Sequence, residues 1–152
     1  MQTPPPNTPT SPPTLRRIFV DTQGWAEVFH SAALHHTQAV DFMQQAQANA
    51  WELVTSNLIL SELVPLLHSR NFRLLQAQIL DIVTRIRNLP TLTMVVIDAA
   101  VDQQAWTLLY TNPQQPWSHV DATSMVLMRQ LGITDVLTAD HHFTQAGFMA
   151  LL

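Results

Sequence analysis

Ser118-His119-Val120-Asp121-Ala122-Thr123-Ser124-Met125-Val126-Leu127-Met128-Arg129-Gln130-Leu131-Gly132, then Asp135-Val136-Leu137-Thr138-Ala139-Asp140, is the stretch whose reading decides the fold. Its first half is a helix that stops at Gly132, the residue best suited to a left-handed C-terminal turn. Its second half is a short apolar run that ends in an acid and reads as a buried strand. A helix feeding such a strand is the repeating unit of a parallel sheet covered on both faces.

The same alternation extends in both directions. Arg16-Arg17-Ile18-Phe19-Val20 reads as a first strand, Trp51-Glu52-Leu53-Val54-Thr55 as a second and Leu92-Thr93-Met94-Val95-Val96-Ile97 as a third. Helices are expected from Thr22 to about Ser31, Thr37 to about Asn49 and Asn71 to about Asn88, with another from Asp98 to about Tyr110. A further helix follows a Ser56 or Asn57 cap, and Pro65 within it predicts a kink or an early break. Phe148-Met149-Ala150-Leu151 is expected as a short last strand. The fold class is therefore α/β, three layers around a mainly parallel sheet of four to five strands. Right-handed crossovers place successive strand ends along one edge, where such sheets bind ligands.

At 152 residues the chain fits one domain. Residues 1–14 hold six prolines and read as a disordered leader, leaving 15–152 as the folded unit. Charged residues are 12% of the chain, about half the usual fraction, which points to a surface partly covered by a partner. The net charge of −4 does not argue for nucleic acid. All seven basic residues are arginines, and Arg70, Arg73, Arg85 and Arg87 crowd one region of the sequence. The absence of cysteine excludes disulfide and thiolate chemistry. Neither a membrane span nor a signal peptide is readable, so the expectation is a cytoplasmic protein.

Four of the eleven acids stand where the pattern puts strand ends and the helix starts beside them: Asp21, Glu62, Asp121 and Asp140. Each alone could be a helix cap or a surface residue. Together they suit a hard divalent cation such as Mg²⁺ or Mn²⁺. Two carboxylates about 4 Å apart repel by roughly 4 kcal/mol at an effective dielectric of about 20, so a cluster needs a cation or takes up protons.

Three blocks carry a resemblance: Ile18-Phe19-Val20-Asp21-Thr22, Thr55 to Glu62, and Trp117 to Phe143, whose two acids lie nineteen positions apart. In this order they resemble the PIN-domain nucleases, and among them the VapC-type toxins. The resemblance implies a Mg²⁺-dependent ribonuclease, the toxin of a type II toxin–antitoxin pair. It implies a cognate small antitoxin and a homodimer as partners. It carries over Asp21, Glu62, Asp121 and Asp140 as the metal-binding acids, Asp21 and Asp121 as direct ligands, and Thr22 and Ser124 as nearby hydroxyls. Ala122 and His141-His142 depart from the common pattern.

Outside the blocks, Arg70 and Arg73 could draw RNA phosphate to the cleft, and His141 could touch substrate or a partner. The seven histidines show no zinc-type spacing with a third ligand. Trp25 and Phe29 are candidates for a dimer or antitoxin surface. The alternative function is a catalytically silent PIN-like module that binds RNA or protein. A phosphoacceptor enzyme is disfavoured, because Gln23 stands where a dehalogenase-like phosphatase needs a second aspartate. A receiver domain is disfavoured by the lack of lysine.

Overall fold

A computed structural model describes residues 15–152, so the proline-rich stretch 1–14 lies outside the described residues. Among the described residues there are five strands: β1 (Arg17–Val20), β2 (Glu52–Ser56), β3 (Leu92–Val95), β4 (Asp135–Leu137) and β5 (Met149–Ala150). The helices are α1 (Thr22–Phe29), α2 (His36–Ala48), α3 (Asn57–His68), α4 (Gln76–Arg87), α5 (Ala99–Thr111), α6 (His119–Leu131) and α7 (His141–Gln145). All strand pairs are parallel, in the order β3-β2-β1-β4-β5. This is the three-layer α/β architecture expected from the alternation.

The order places β1 at the centre. The chain first builds outward through β2 and β3, then returns to the other side of β1 with β4. The point of reversal lies between the C-terminal ends of β1 and β4, where open parallel sheets form a crevice. Ile18, Phe19 and Val20 are fully buried there with Val136 and Leu137, as a strand covered on both faces requires.

Two contacts fix the start of α1 against this edge. Gly24 brings the helix so near β4 that a Cβ in its place would lie 2.0 Å from the Leu137 carbonyl oxygen. Only glycine allows that approach. Trp25 is wholly buried, and its indole N–H donates to Thr55 Oγ1 at 3.1 Å while the Thr55 hydroxyl donates to the Val20 carbonyl at 2.9 Å. Trp25 is therefore a core residue tying α1 to β1 and β2, not part of a docking surface. Its face of the helix is apolar because it packs inward.

Three other expectations change. The helix expected from Asn71 starts at Gln76, because Ser69 to Arg73 turns on itself, with Arg73 at φ 55° and its N–H bonded to the Ser69 carbonyl. Helix α3 continues through Pro65 to His68. Pro65 is exposed, as is Ser61, whose carbonyl is the one left without its N–H, so the missing bond lies on the solvent side of the helix. The four arginines do not form one patch: most of α4, roughly 15 Å at 1.5 Å per residue, separates Arg70 and Arg73 from Arg85 and Arg87. Arg85 instead lies over the Phe29 ring at 5.0 Å.

Replacing Gly24 by alanine should destabilise the fold by about 1–3 kcal/mol, the range for overpacking, measured by urea unfolding. An unchanged midpoint would contradict the close approach.

Candidate metal centre

Asp21 follows β1 directly, so its position is set by the central strand. Asp140 follows the Thr138-Ala139 extension of β4. Glu62 lies on α3, whose start is fixed by Ser56, which accepts the Ile59 N–H at 3.2 Å. Asp121 sits in the first turn of α6 in a reciprocal cap with Ser118. The Ser118 N–H donates to Asp121 Oδ2 at 2.8 Å, and the Asp121 N–H donates to Ser118 Oγ at 3.0 Å. All four acids line one cleft of about 440 Å³, with Thr22, Glu27, His30, Leu66 and Phe72. A larger depression of about 560 Å³ beside α2 gathers no such set of acids.

The electrostatics follow from this convergence. Asp21 is 4% exposed, and its carboxyl is pushed from 3.8 up to about 7. Burial is the main cause, with the facing charges of Asp121 and Glu62 adding to it. The Thr22 backbone N–H and the Thr138 hydroxyl, which donates to Asp21 Oδ2 at 3.1 Å, pull in the opposite direction. The Glu62 carboxyl is also raised, first by burial and then by Asp121 and Asp140. The nearby Thr22 hydroxyl lowers it, although Thr22 Oγ1 makes no hydrogen bond of good geometry.

Such a set fits a hard divalent cation on two observations. The donors are carboxylate oxygens whose mutual repulsion a cation relieves. The Thr22 hydroxyl is buried on the cleft wall without a hydrogen-bond partner. Ser124 is fully buried, also with an unpartnered hydroxyl, and does not line the cleft. Arg70 and Arg73 are exposed and flank Asn71 and Phe72, which do line it.

Two residues escaped the reading of the sequence. Glu27 is a fifth cleft acid, buried, and its carboxylate accepts the His35 N–H at 2.8 Å. An acid inside a short helix gives no sign that it is buried. His142, rather than His141, turns toward the acids: its Nδ1 lies 3.3 Å from Asp121 Oδ2 and 3.4 Å from Asp140 Oδ1. The His141 side chain is 72% exposed, with Nδ1 3.8 Å from Asp140. Ligand atoms of Asp140, His141 and His142 all fall within 4.8 Å of one another. Asp140 caps α7 by accepting the His142 N–H at 2.9 Å, and that helical turn sets the two histidines apart.

The folded, metal-free protein holds the Asp21 proton up to about pH 7, whereas the ordinary value is 3.8. Between those values the folded state binds more protons than the unfolded chain. Stability should therefore fall as pH rises from 4 to 7, by up to roughly 4 kcal/mol. Asp21→Asn should flatten this slope in urea unfolding with a chelator present; an equally steep slope in the variant would assign the effect elsewhere.

The chain is similar to known proteins over most of its length. The PIN domain family matches residues 18–149. The 23S rRNA-specific endonuclease VapC20, from two strains of Mycobacterium tuberculosis, is 30% identical over 132 residues, covering 87% of this chain and 95% of that protein. The crystal structure of Mycobacterium tuberculosis VapC20, a Sarcin-Ricin loop cleaving toxin, superposes with a TM-score of 0.73 at 29% identity, covering 87% of this chain and 96% of the other. FitAcB from Neisseria gonorrhoeae shares the fold, with a TM-score of 0.61 at 17% identity over 89% of this chain and 96% of its own. The chain belongs to the PIN-domain family, and its likeness to VapC20 bears out the VapC-type resemblance of its three sequence blocks.

Proposed function

We propose that this protein is a Mg²⁺-dependent endoribonuclease and the toxin of a type II toxin–antitoxin pair. The observation that supports it most is the meeting of Asp21, Glu62, Asp121 and Asp140 in one cleft of a PIN-domain chain. The relative VapC20 is a 23S rRNA-specific endonuclease, so ribosomal RNA is the first substrate to test.

In this reading Asp21 and Asp121 would be the direct ligands of the cation, with Glu62 and Asp140 supporting it or a second ion. Mn²⁺ can replace Mg²⁺ on the same donors. Held there, a divalent cation would supply positive charge against the phosphate and lower the pKa of water. The chain itself supplies position. Thr138 holds one Asp21 oxygen, and the Ser118 cap holds one Asp121 oxygen. The Thr22 hydroxyl is free to donate to a phosphate oxygen, and Ser124 lies buried in the helix that carries Asp121. Arg70 and Arg73 flank the mouth and attract the RNA backbone, and His141 is exposed enough to touch it.

The partners are RNA, a small cognate antitoxin and a second copy of the chain. Sparse charge and exposed Leu75, Val96, Trp106 and Tyr110 support surfaces that are covered in the assembled protein. Among the described residues no helix is long and apolar enough to cross a membrane, and a cytoplasmic site of action is part of the proposal.

Asp121→Asn keeps an oxygen for the Ser118 N–H but removes the charge. It should lower Mg²⁺-dependent cleavage of an RNA carrying the sarcin–ricin loop by on the order of 100-fold or more, the scale for losing a charge-stabilising group. Full activity in the variant would overturn the assignment. In cells, wild-type expression should arrest growth, Asp21→Asn should not, and co-expression of the neighbouring small open reading frame should restore growth.

A further inference from the structure

We infer that His142 is a positioning residue that orients two of the cleft acids for the cation. The inference rests on the cation reading of the acids, not on RNA as the substrate.

His142 stands between Asp121 on α6 and Asp140 at the start of α7. Its Nδ1 reaches Asp121 Oδ2 at 3.3 Å and Asp140 Oδ1 at 3.4 Å. Both oxygens are already engaged from behind. Asp121 Oδ2 accepts the Ser118 N–H at 2.8 Å, and Asp140 Oδ1 accepts the His142 backbone N–H at 2.9 Å. Their other oxygens, Asp121 Oδ1 and Asp140 Oδ2, accept no hydrogen bond among the described residues. The imidazole therefore meets the side of each carboxylate that is already bonded to the protein and leaves the free oxygen for the cleft that both residues line.

The ring is itself held. The His142 side chain is only 20% exposed, its ring lies 4.7 Å from that of His141, and the next residue, Phe143, is wholly buried. The Nδ1–H tautomer of a neutral ring donates to Asp121 Oδ2, with Asp140 Oδ1 close beside the same nitrogen at 3.4 Å but not hydrogen-bonded to it, and no charge on the histidine is required. Donors of this kind behind metal-binding carboxylates fix ligand orientation, and their loss typically lowers metal affinity by about 10–100-fold. His142 thus links two elements, α6 and α7, that each deliver one acid.

The test is Mg²⁺ binding by calorimetry in the absence of RNA, on the wild type, His142→Ala and His142→Asn. Asparagine carries an N–H where the imidazole has Nδ1–H. The expected result is affinity weakened by about 10–100-fold in His142→Ala and restored to near wild type in His142→Asn. Thermal unfolding in chelator should be similar for all three, which separates orientation from folding. Equal affinity in His142→Ala, or equal weakness in both variants, would overturn the inference. So would nitrogen coupling to bound Mn²⁺ in pulsed electron spin resonance, lost in His142→Ala, because it would make His142 a direct ligand. A wild type that binds no Mg²⁺ would instead overturn the cation reading on which the inference rests.

Discussion

Repulsion between carboxylates at the C-terminal edge of the sheet is the constraint around which this structure is arranged. Asp21 is buried at the end of the central strand, with Asp121 and Glu62 facing it. Burial alone disfavours its charge, and the neighbours disfavour it further. A core optimised for stability would place an apolar side chain there. The fold does the opposite and reinforces the geometry from several sides. Thr138 holds Asp21, Ser118 holds Asp121, and Asp140 is locked as the cap of α7.

The rest of the architecture serves that convergence. The strand order puts β1 and β4 side by side, so the chain's first acid and its last meet across 119 residues of sequence. Gly24 permits α1 to lie against the end of β4, and the Trp25–Thr55–Val20 chain of hydrogen bonds holds it there. Glu62 and Asp121 are carried by helices, and Asp21 and Asp140 by short junctions between a strand and the helix that follows it. Such placement suits the cation site proposed above.

Much of this was legible in the sequence, for identifiable reasons. Acids directly after apolar β-branched runs mark strand ends locally, so Asp21 and Asp140 could be placed without tertiary information. Gly132 at φ 66° closes α6 as its glycine suggests. Other features depended on packing that no local pattern reveals. Trp25 and Phe29 share an apolar helix face, and the pattern cannot say whether core or partner covers it. Helix α7 has five residues, too few for a period, so the difference between exposed His141 and inward His142 was invisible. Glu27 looked like any surface acid. The turn before α4 depends on Arg73 adopting a left-handed conformation that its side chain does not favour.

The central claim is that the cleft's repulsion exists for a cation to relieve. The most direct measurement is calorimetric Mg²⁺ titration at pH 7 in two buffers of different ionisation enthalpy. Asp21, whose carboxyl is raised to about 7, retains protons there that it would give up on binding the metal. The account predicts proton release on Mg²⁺ binding that grows as pH is lowered toward the acid range and is clearly smaller in Asp21→Asn, where only the raised Glu62 carboxyl is left to contribute. Binding without proton release, or no binding, would contradict it.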